Sequence, residues 1–577
     1  MAASTPISDR ISTETVPEVS SPAQSASLPS AAQNDLWIFR DGKRTVSGSS
    51  LVSNLRRRID GCIRDRNGVL DALIEAGTLE TALADAGSAS ATTFASITNV
   101  LAETLCTGNP ASVEAAAKIL DSLDIPETLS ISPPEGFTYY ALHPLDFANV
   151  LSRIPEQPRH CAVIGIRSIG TTLSAVVLAA LSATGGAASR ITVRPSGHPY
   201  SRRTEFSPDE MRWIQQNIAA QFLVVDEGPG RSGSTFLSVA EALVRTGVPR
   251  QNITLLGSRD PDVTSLCADN VITRWQAFPF IATSPSVNGR FEGWIYAGGG
   301  HWRHLLLPEG EPWPESWTQM ERLKFISPDR QSLYKFEGMG PIGADVRDRA
   351  SALANAGFGP KACDAGDGFL SYELLRGPHL RTEDISSALL NRLADYCAFR
   401  YTNFAIQNAQ PPQLREMLEF NVSQEFGVSL SLPEEIFCTQ HAVIVDGRMQ
   451  PHEWIAVGGD EFVKTDGVDH GDNHFFPGPC DIAWDLAGIT VEWNLEDTAV
   501  SYLFDRFCRL SGTNLIRSFS LYKLAYSVFR LGSCKMAIST VKGSPEEPRI
   551  IAAYLHYRAV ANTVLPSTNS AIRGRAA

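Results

Sequence analysis

The densest chemistry in the chain lies between Phe222 and Phe236, FLVVDEGPGRSGSTF. The four apolar residues Phe222 to Val225 read as a short buried strand. Asp226 and Glu227 follow at once, then a loop of small residues: Gly228, Pro229, Gly230, Arg231, Ser232, Gly233, Ser234 and Thr235. A helical apolar pattern begins at Phe236 and continues through Val239, Ala240, Ala242 and Leu243. A strand ending in a Gly/Ser/Thr loop at a helix N-terminus suits a phosphate. The glycines admit close backbone approach, free N–H groups point at the anion, and the helix dipole favours negative charge. The two acids stand where they would grip sugar hydroxyls or a metal beside that phosphate. A second loop, Arg167, Ser168, Ile169, Gly170, Thr171 and Thr172, follows the apolar run CAVIGI. Far downstream, Asp466, Asp469, His470, Asp472 and His474 form a cluster of metal-ligating types, open to a second reading as a solvated acidic loop.

The elements that must position these residues are legible as alternating strands and helices. CAVIGI, RITVRP, FLVVDE and NITLLGS read as strands, and LSAVVLAALSATG as a helix after the first. Such alternation predicts a parallel, doubly wound sheet, whose ligands sit beyond the C-terminal strand ends. Both Gly-containing loops follow a strand, so they should share one edge of the sheet. Upstream, Leu36 to Leu151 is mostly helical in pattern, with breaks at Gly87, Pro110 and Pro126. His143 and the Tyr139–Tyr140 pair read either as ordinary packing or as lining of a pocket.

The segment from about Arg159 to Arg303 resembles the type I phosphoribosyltransferases. The resemblance implies phosphoribosyl pyrophosphate and Mg2+ as ligands. It implies a pyrophosphate loop at Arg167 to Thr172, ribose contacts from Asp226 and Glu227, and a 5-phosphate cradle over Gly230 to Thr235. The Arg-rich segment Arg194 to Arg203 would be part of a flexible cover. Glu227 departs from the family, which most often has Asp there, and GPGRSG is bulkier than the usual Thr/Gly run. The aromatic residues Phe291, Trp294 and Trp302 read equally as a stack for a base-like substrate or as cover for a sheet edge.

After a Pro/Glu/Trp-rich run, SLYKFEGMG reads as a strand carrying Lys335, GADVRDRASALANAGF as a helix, and GFLSYELLRGPHL as a strand and turn containing Glu373. That order resembles the small lobe and hinge of the aminoglycoside-phosphotransferase-like kinases, and implies ATP contacts from Lys335 and from the hinge at Glu373. Asp345 and Asp348 are the acids available on the helix to pair with Lys335. Two placements compete for the catalytic loop. His470-Gly471-Asp472 matches the family's literal HGD, but Asp481 follows too soon for the intervening hairpin. The preferred placement is IVDGRMQPHEW, with Asp446 as proton acceptor and His452, or else Glu453, where the family has a metal-binding Asn. Asp466 is then the Mg2+ acid, and Asp485 steadies the loop.

A net charge of −13 argues against nucleic acid as a partner, and no apolar run reaches the ~20 residues of a membrane helix. Ten scattered cysteines without a CxxC pair, and no signal-like N-terminus, predict reduced thiols in a cytoplasmic protein. The expected fold class is α/β plus α+β: a doubly wound parallel-sheet domain followed by a bilobal domain, after a helical N-terminal region. The expected divisions are a disordered leader at 1–33, helices over 34–157, the phosphoribosyltransferase-like domain at 158–307, a linker at 308–320, the kinase-like domain at 321–565, and a disordered tail at 566–577. The expected function is a bifunctional small-molecule transferase using phosphoribosyl pyrophosphate, ATP and Mg2+. A nucleotide-sensing regulatory protein with a degenerate kinase-like half is the alternative.

Overall fold

A computed structural model describes residues 43–61, 66–154, 160–230, 232–310, 312–407, 409, 412–472, 475–513 and 519–576. The expected leader, Arg231 and His474 lie outside the described residues. Five parallel strands form one sheet, in the spatial order Ala187–Val193, His160–Ile166, Gln221–Val225, Ile253–Gly257 and Phe280–Ala282. The first four are the apolar runs read from the sequence. The three-residue edge strand Phe280–Ala282 carried too little pattern to be read. Helices cover both faces. Ile169–Ala183 packs on one side under the N-terminal helices Arg66–Asp85 and Ala91–Thr107. Ser234–Arg245 packs on the other.

Buried polar contacts fasten the N-terminal helices to this sheet. Arg190 donates to Glu80 at 2.9 Å and to Asn99 at 2.9 Å. Gly77 lies so close to Thr172 that a Cβ there would sit 2.0 Å from its hydroxyl. The same helices reach the second half of the chain. Asp71 accepts from the Gly340 N–H at 2.6 Å and from the Arg347 guanidinium.

The second sheet is antiparallel and five-stranded, in the order Ala362–Gly366, Phe369–Glu373, Ser332–Phe336, Lys324–Ile326 and Ile295–Tyr296. The helix Gly340–Asn355 flanks it. A turn at Leu374–Gly377 leads into a helical lobe. Its main helices are Ser387–Asn403, Leu414–Phe426, Ala483–Glu492, Asp497–Ser511, Phe519–Val541 and Glu547–Ala576. The last of these continues through Pro566, where the sequence predicted a disordered tail.

The expected linker at 308–320 is not a boundary in the fold. Ile295–Tyr296 pairs with Lys324–Ile326, so residues 297–323 form the connection between two neighbouring strands. A two-residue strand is below what periodicity detects, and a Pro/Glu/Trp-rich run reads as linker although its side chains are anchored. Arg303 donates to both carboxylate oxygens of Glu546 in the helical lobe, at 2.7 and 3.0 Å. Phe291 stacks on Phe325 with ring centroids 4.3 Å apart, as cover for the sheet.

One short helix, Glu135–Tyr139, lies between the two halves. Gly136 faces Glu227, which a Cβ there would approach to 3.0 Å. The Phe137 carbonyl accepts from Met339 N at 3.0 Å, and the Thr138 carbonyl from Arg322 at 3.0 Å. His143 is a fastening rather than pocket lining. Its Nε2 is 3.2 Å from Asp367 Oδ1, and its Nδ1 accepts from Leu145 N.

Candidate functional site

Two places gather the candidate residues. The first is the C-terminal edge of the parallel sheet. Strands His160–Ile166 and Gln221–Val225 are neighbours and leave through Arg167–Ser168 and Asp226–Gly228 at the point where strand order reverses. The two loops touch: a Cβ on Gly170 would meet the Val225 carbonyl at 2.5 Å. Ser168 holds φ at 110°, a costly value for a residue other than glycine.

Three carboxyls converge here. Burial lifts Asp226 to about 7. Burial, with Asp226 and Glu135 beside it, lifts Glu227 to about 8. Burial lifts Glu135 to about 7. Acids with raised folded values hold extra protons in the native state, so stability is fully present below their ordinary range and is lost as pH rises through about 7 to 8. Glu227→Gln should therefore flatten the fall in melting temperature between pH 5 and 8. An identical slope in the variant would refute the buried-acid assignment.

The hydroxyls expected to hold phosphate are engaged elsewhere. Ser232 and Ser234 both donate to the Pro199 carbonyl, at 2.8 and 2.6 Å. Thr171 is buried against Thr81 at 2.8 Å. Arg167 faces Asp85 and Glu210 at 3.4 and 3.5 Å. Gly230 is exposed with φ of 59°, Gly233 caps the helix Ser234–Arg245 with φ of 72°, and Thr235 is half-buried in its first turn. A phosphate at this loop would rely on backbone N–H groups rather than on the serine hydroxyls.

The second place is a cavity of about 580 Å3 between the antiparallel sheet and the helical lobe. Lys335 points into it from the strand Ser332–Phe336. Its Nζ lies 2.8 Å from Asp466, 3.0 Å from Asp469 and 3.2 Å from Glu337. Burial opposes the ammonium charge, but these three acids outweigh it and hold the lysine above its ordinary range. In return, and against burial, Lys335 and His470 hold Asp466 well below the carboxylate range. Arg322 donates to Asp469 and to the Thr138 carbonyl, tying the cluster to the Glu135–Tyr139 helix.

Asp345 and Asp348 are not partners of Lys335; Glu337 and Asp469 take that place. Glu337 stands two residues beyond Lys335, and period-two alternation would have put it on the same face. Glu373 lies at the turn end of the cavity, exposed, 3.8 Å from Lys361.

The expected base sits behind the cavity wall. Asp446 is fully buried and does not line the cavity. Its carboxylate accepts from the Tyr396 hydroxyl at 2.5 Å and from Arg448 N at 3.1 Å, with Lys464 Nζ at 3.5 Å. Asp485, also fully buried, accepts from Asp446 N at 2.8 Å and Gly447 N at 3.1 Å. Gly447, Arg448, Gln450, His452 and Glu453 of this loop line the cavity. In the alternative placement, His470–Asp472 is a short 3-10 turn with Gly471 pressed against the Val445 carbonyl.

The candidate metal set holds Asp466 with Glu453, the second of the two residues expected beside it, and adds His470. Glu453, Asp466 and His470 bring one ligand atom each within 4.8 Å of one another. His452, the expected partner of Asp466, instead stacks on Trp302 with centroids 5.7 Å apart. The turn Pro451–Glu453 faces its two last side chains differently, and the acid is the one under Lys464, at 2.6 Å. Burial raises Glu453 to about 7 and lowers His470 to about 4. Two carboxylates and one neutral imidazole fit a divalent cation, the carboxylates matching the oxygen preference of Mg2+.

No helix among the described residues is long and apolar enough to cross a membrane. Among the described residues no two cysteines are joined by a disulfide. No family model matches the chain, and no curated protein matches it. Among solved structures, the chain is similar to a choline/ethanolamine kinase family protein from Mesorhizobium loti, at 13% identity, covering 44% of this chain and 89% of that one with a TM-score of 0.30. It is similar to the choline kinase LicA from Streptococcus pneumoniae, at 12% identity over 42% of this chain and 89% of that one, TM-score 0.30. A putative aminoglycoside phosphotransferase from Ralstonia eutropha JMP134 gives 13% identity over 46% and 94%, TM-score 0.31.

Proposed function

We propose that the cavity binds ATP with Mg2+ and transfers its terminal phosphoryl group to a hydroxyl of a small molecule. The observation that carries this reading is the convergence of Lys335, Asp466, Asp469 and Glu453 on one cavity beside the turn Leu374–Gly377. The turn's backbone would meet the adenine and Lys335 the phosphates. Asp466 and Glu453 would hold Mg2+, which neutralises charge on the phosphates when bound. Phosphoryl transfer proceeds mainly by positioning and charge neutralisation, so it tolerates a weak proton acceptor. The test is ADP formation from Mg–ATP by the full chain with pooled metabolite hydroxyls. Nucleotide binding without any acceptor-dependent ADP would remove the transferase reading.

The second reading is a nucleotide sensor with no transfer. It is favoured by one observation, the burial of Asp446 behind Tyr396 with Arg448 in the cavity instead. For the parallel sheet we propose a ribose-phosphate site for phosphoribosyl pyrophosphate with Mg2+, the ribose hydroxyls facing Asp226 and Glu227. The adjacency of the two loops at the reversal of strand order supports it. Asp226→Asn should abolish pyrophosphate release from phosphoribosyl pyrophosphate, and unchanged release would dismiss the assignment.

A further inference from the structure

Among the buried and half-buried cations around the cavity, all but one are neutralised by protein carboxylates. Lys335 has its three acids, Arg322 has Asp469, and Lys464 has Glu453. Arg530 has Glu315 at 2.8 Å and Glu492 at 3.2 Å. Lys324 has Asp466 and Glu321, both at 3.9 Å, and the remaining two, Arg330 and Arg376, are exposed. Arg448 is different. It is half-buried, it lines the cavity, and among the described residues its guanidinium has no carboxylate partner.

Its place in the cavity follows from its neighbours in the loop: Gly447 abuts His470, and Gln450 donates to Glu315, the partner of Arg530 in the helix Phe519–Val541, at 3.0 Å. Its charge acts on His470 and His452, and on Cys534 in the helix Phe519–Val541. It therefore stands between the Lys335–Asp466 cluster and the wall formed by the helix Phe519–Val541. The cavity's apolar and aromatic lining includes Trp302, Leu306, Trp317, Phe475, Phe529 and Ile550. A half-buried guanidinium has lost part of its hydration without gaining a counter-charge. Its planar fork matches the two oxygens of a phosphate or carboxylate.

We propose that the acceptor molecule carries its own oxyanion, a phosphate or a carboxylate, on an apolar or aromatic body, and that Arg448 holds this oxyanion while the body meets the cavity's apolar lining. The proposal names the substrate class of the phosphotransfer reading and rests on it.

The test uses the full chain, saturated with Mg2+ and the non-hydrolysable analogue AMP-PNP so that the γ-phosphate position is filled. Inorganic phosphate is then titrated by calorimetry. Wild type should bind it, and Arg448→Gln should weaken it at least tenfold while leaving AMP-PNP affinity within twofold. Arg448→Lys, which keeps the charge but not the fork, should fall between them, with both variants melting near wild type. No phosphate binding by wild type, or equal binding by Arg448→Gln, overturns the proposal. If Arg448→Gln loses affinity for AMP-PNP but not for ADP, the guanidinium serves the nucleotide's γ-phosphate and the proposal fails. If wild type binds neither nucleotide, the phosphotransfer reading falls by itself. The same phosphate titration on the nucleotide-free chain then decides Arg448 by the same tenfold criterion.

Discussion

Asp485→Ala should destabilise the helical lobe by about 3–5 kcal/mol, the cost of breaking a buried charged pair from one side. The substitution removes both acceptors that hold the Asp446 and Gly447 N–H groups, at 2.8 and 3.1 Å. It also leaves Arg400, fully buried with its Nε 3.6 Å from Asp485, facing Asp446 without the second acid. Arg400 keeps bonds to the Tyr396 hydroxyl and to the Gly467 and Ile444 carbonyls, so the loss is concentrated at the loop Asp446–Arg448 rather than spread over the lobe. Asp485→Asn retains one acceptor oxygen and should lose less. Calorimetric unfolding of the full chain reads the effect as a lowered transition of the helical lobe. A transition temperature within one degree of wild type for the Ala variant would show that the loop is held by something else.

Asp466→Asn should reduce acceptor-dependent ADP formation about a hundredfold or more, on the scale of losing one preorganised electrostatic group in a water-poor site. Here stability and activity part company. Lys335 keeps Asp469 at 3.0 Å and Glu337 at 3.2 Å, so it is not left as an unpaired buried charge. The variant should fold, and the melting-temperature gain from Mg–ATP should shrink most at low Mg2+. Kinetics at saturating ATP separate the two contributions. A variant with an unchanged rate would mean that Asp466 has no part in transfer, however well it pairs with Lys335.

What was legible in the sequence divides along physical lines. Parallel strands buried on both faces are continuous apolar runs, so CAVIGI and FLVVDE announced the doubly wound sheet and the shared edge of its loops. The hairpin Trp454–Gly458 with Glu461–Lys464 was legible from spacing, and it brings Asp466 to the cavity. The orientation of Asp446 was not legible. Whether that acid faces solvent or core is decided by Tyr396, Arg400 and Lys464, which approach it from a helix some 50 residues upstream and a strand downstream. Residue type alone cannot distinguish a catalytic acid from one that anchors a loop. Glu453 and His452 differ by one position in a tight turn and both line the cavity; only the packing decides that the imidazole stacks on Trp302 while the acid meets Lys464.

The helix Glu135–Tyr139 has a thermodynamic consequence. Five residues are too few to hold a helix on their own, so its position is set from outside. Glu227 presses on Gly136 from the parallel-sheet side, while Tyr139 and Tyr140 line the cavity on the other. A ligand that shifts this segment when it binds at either place changes the affinity at the other, and linkage requires the factor to be the same in both directions. Titrating ADP with and without phosphoribosyl pyrophosphate, and the reverse, should return one common coupling factor. Two independent affinities would mean the segment is rigid and merely separates two sites that do not communicate.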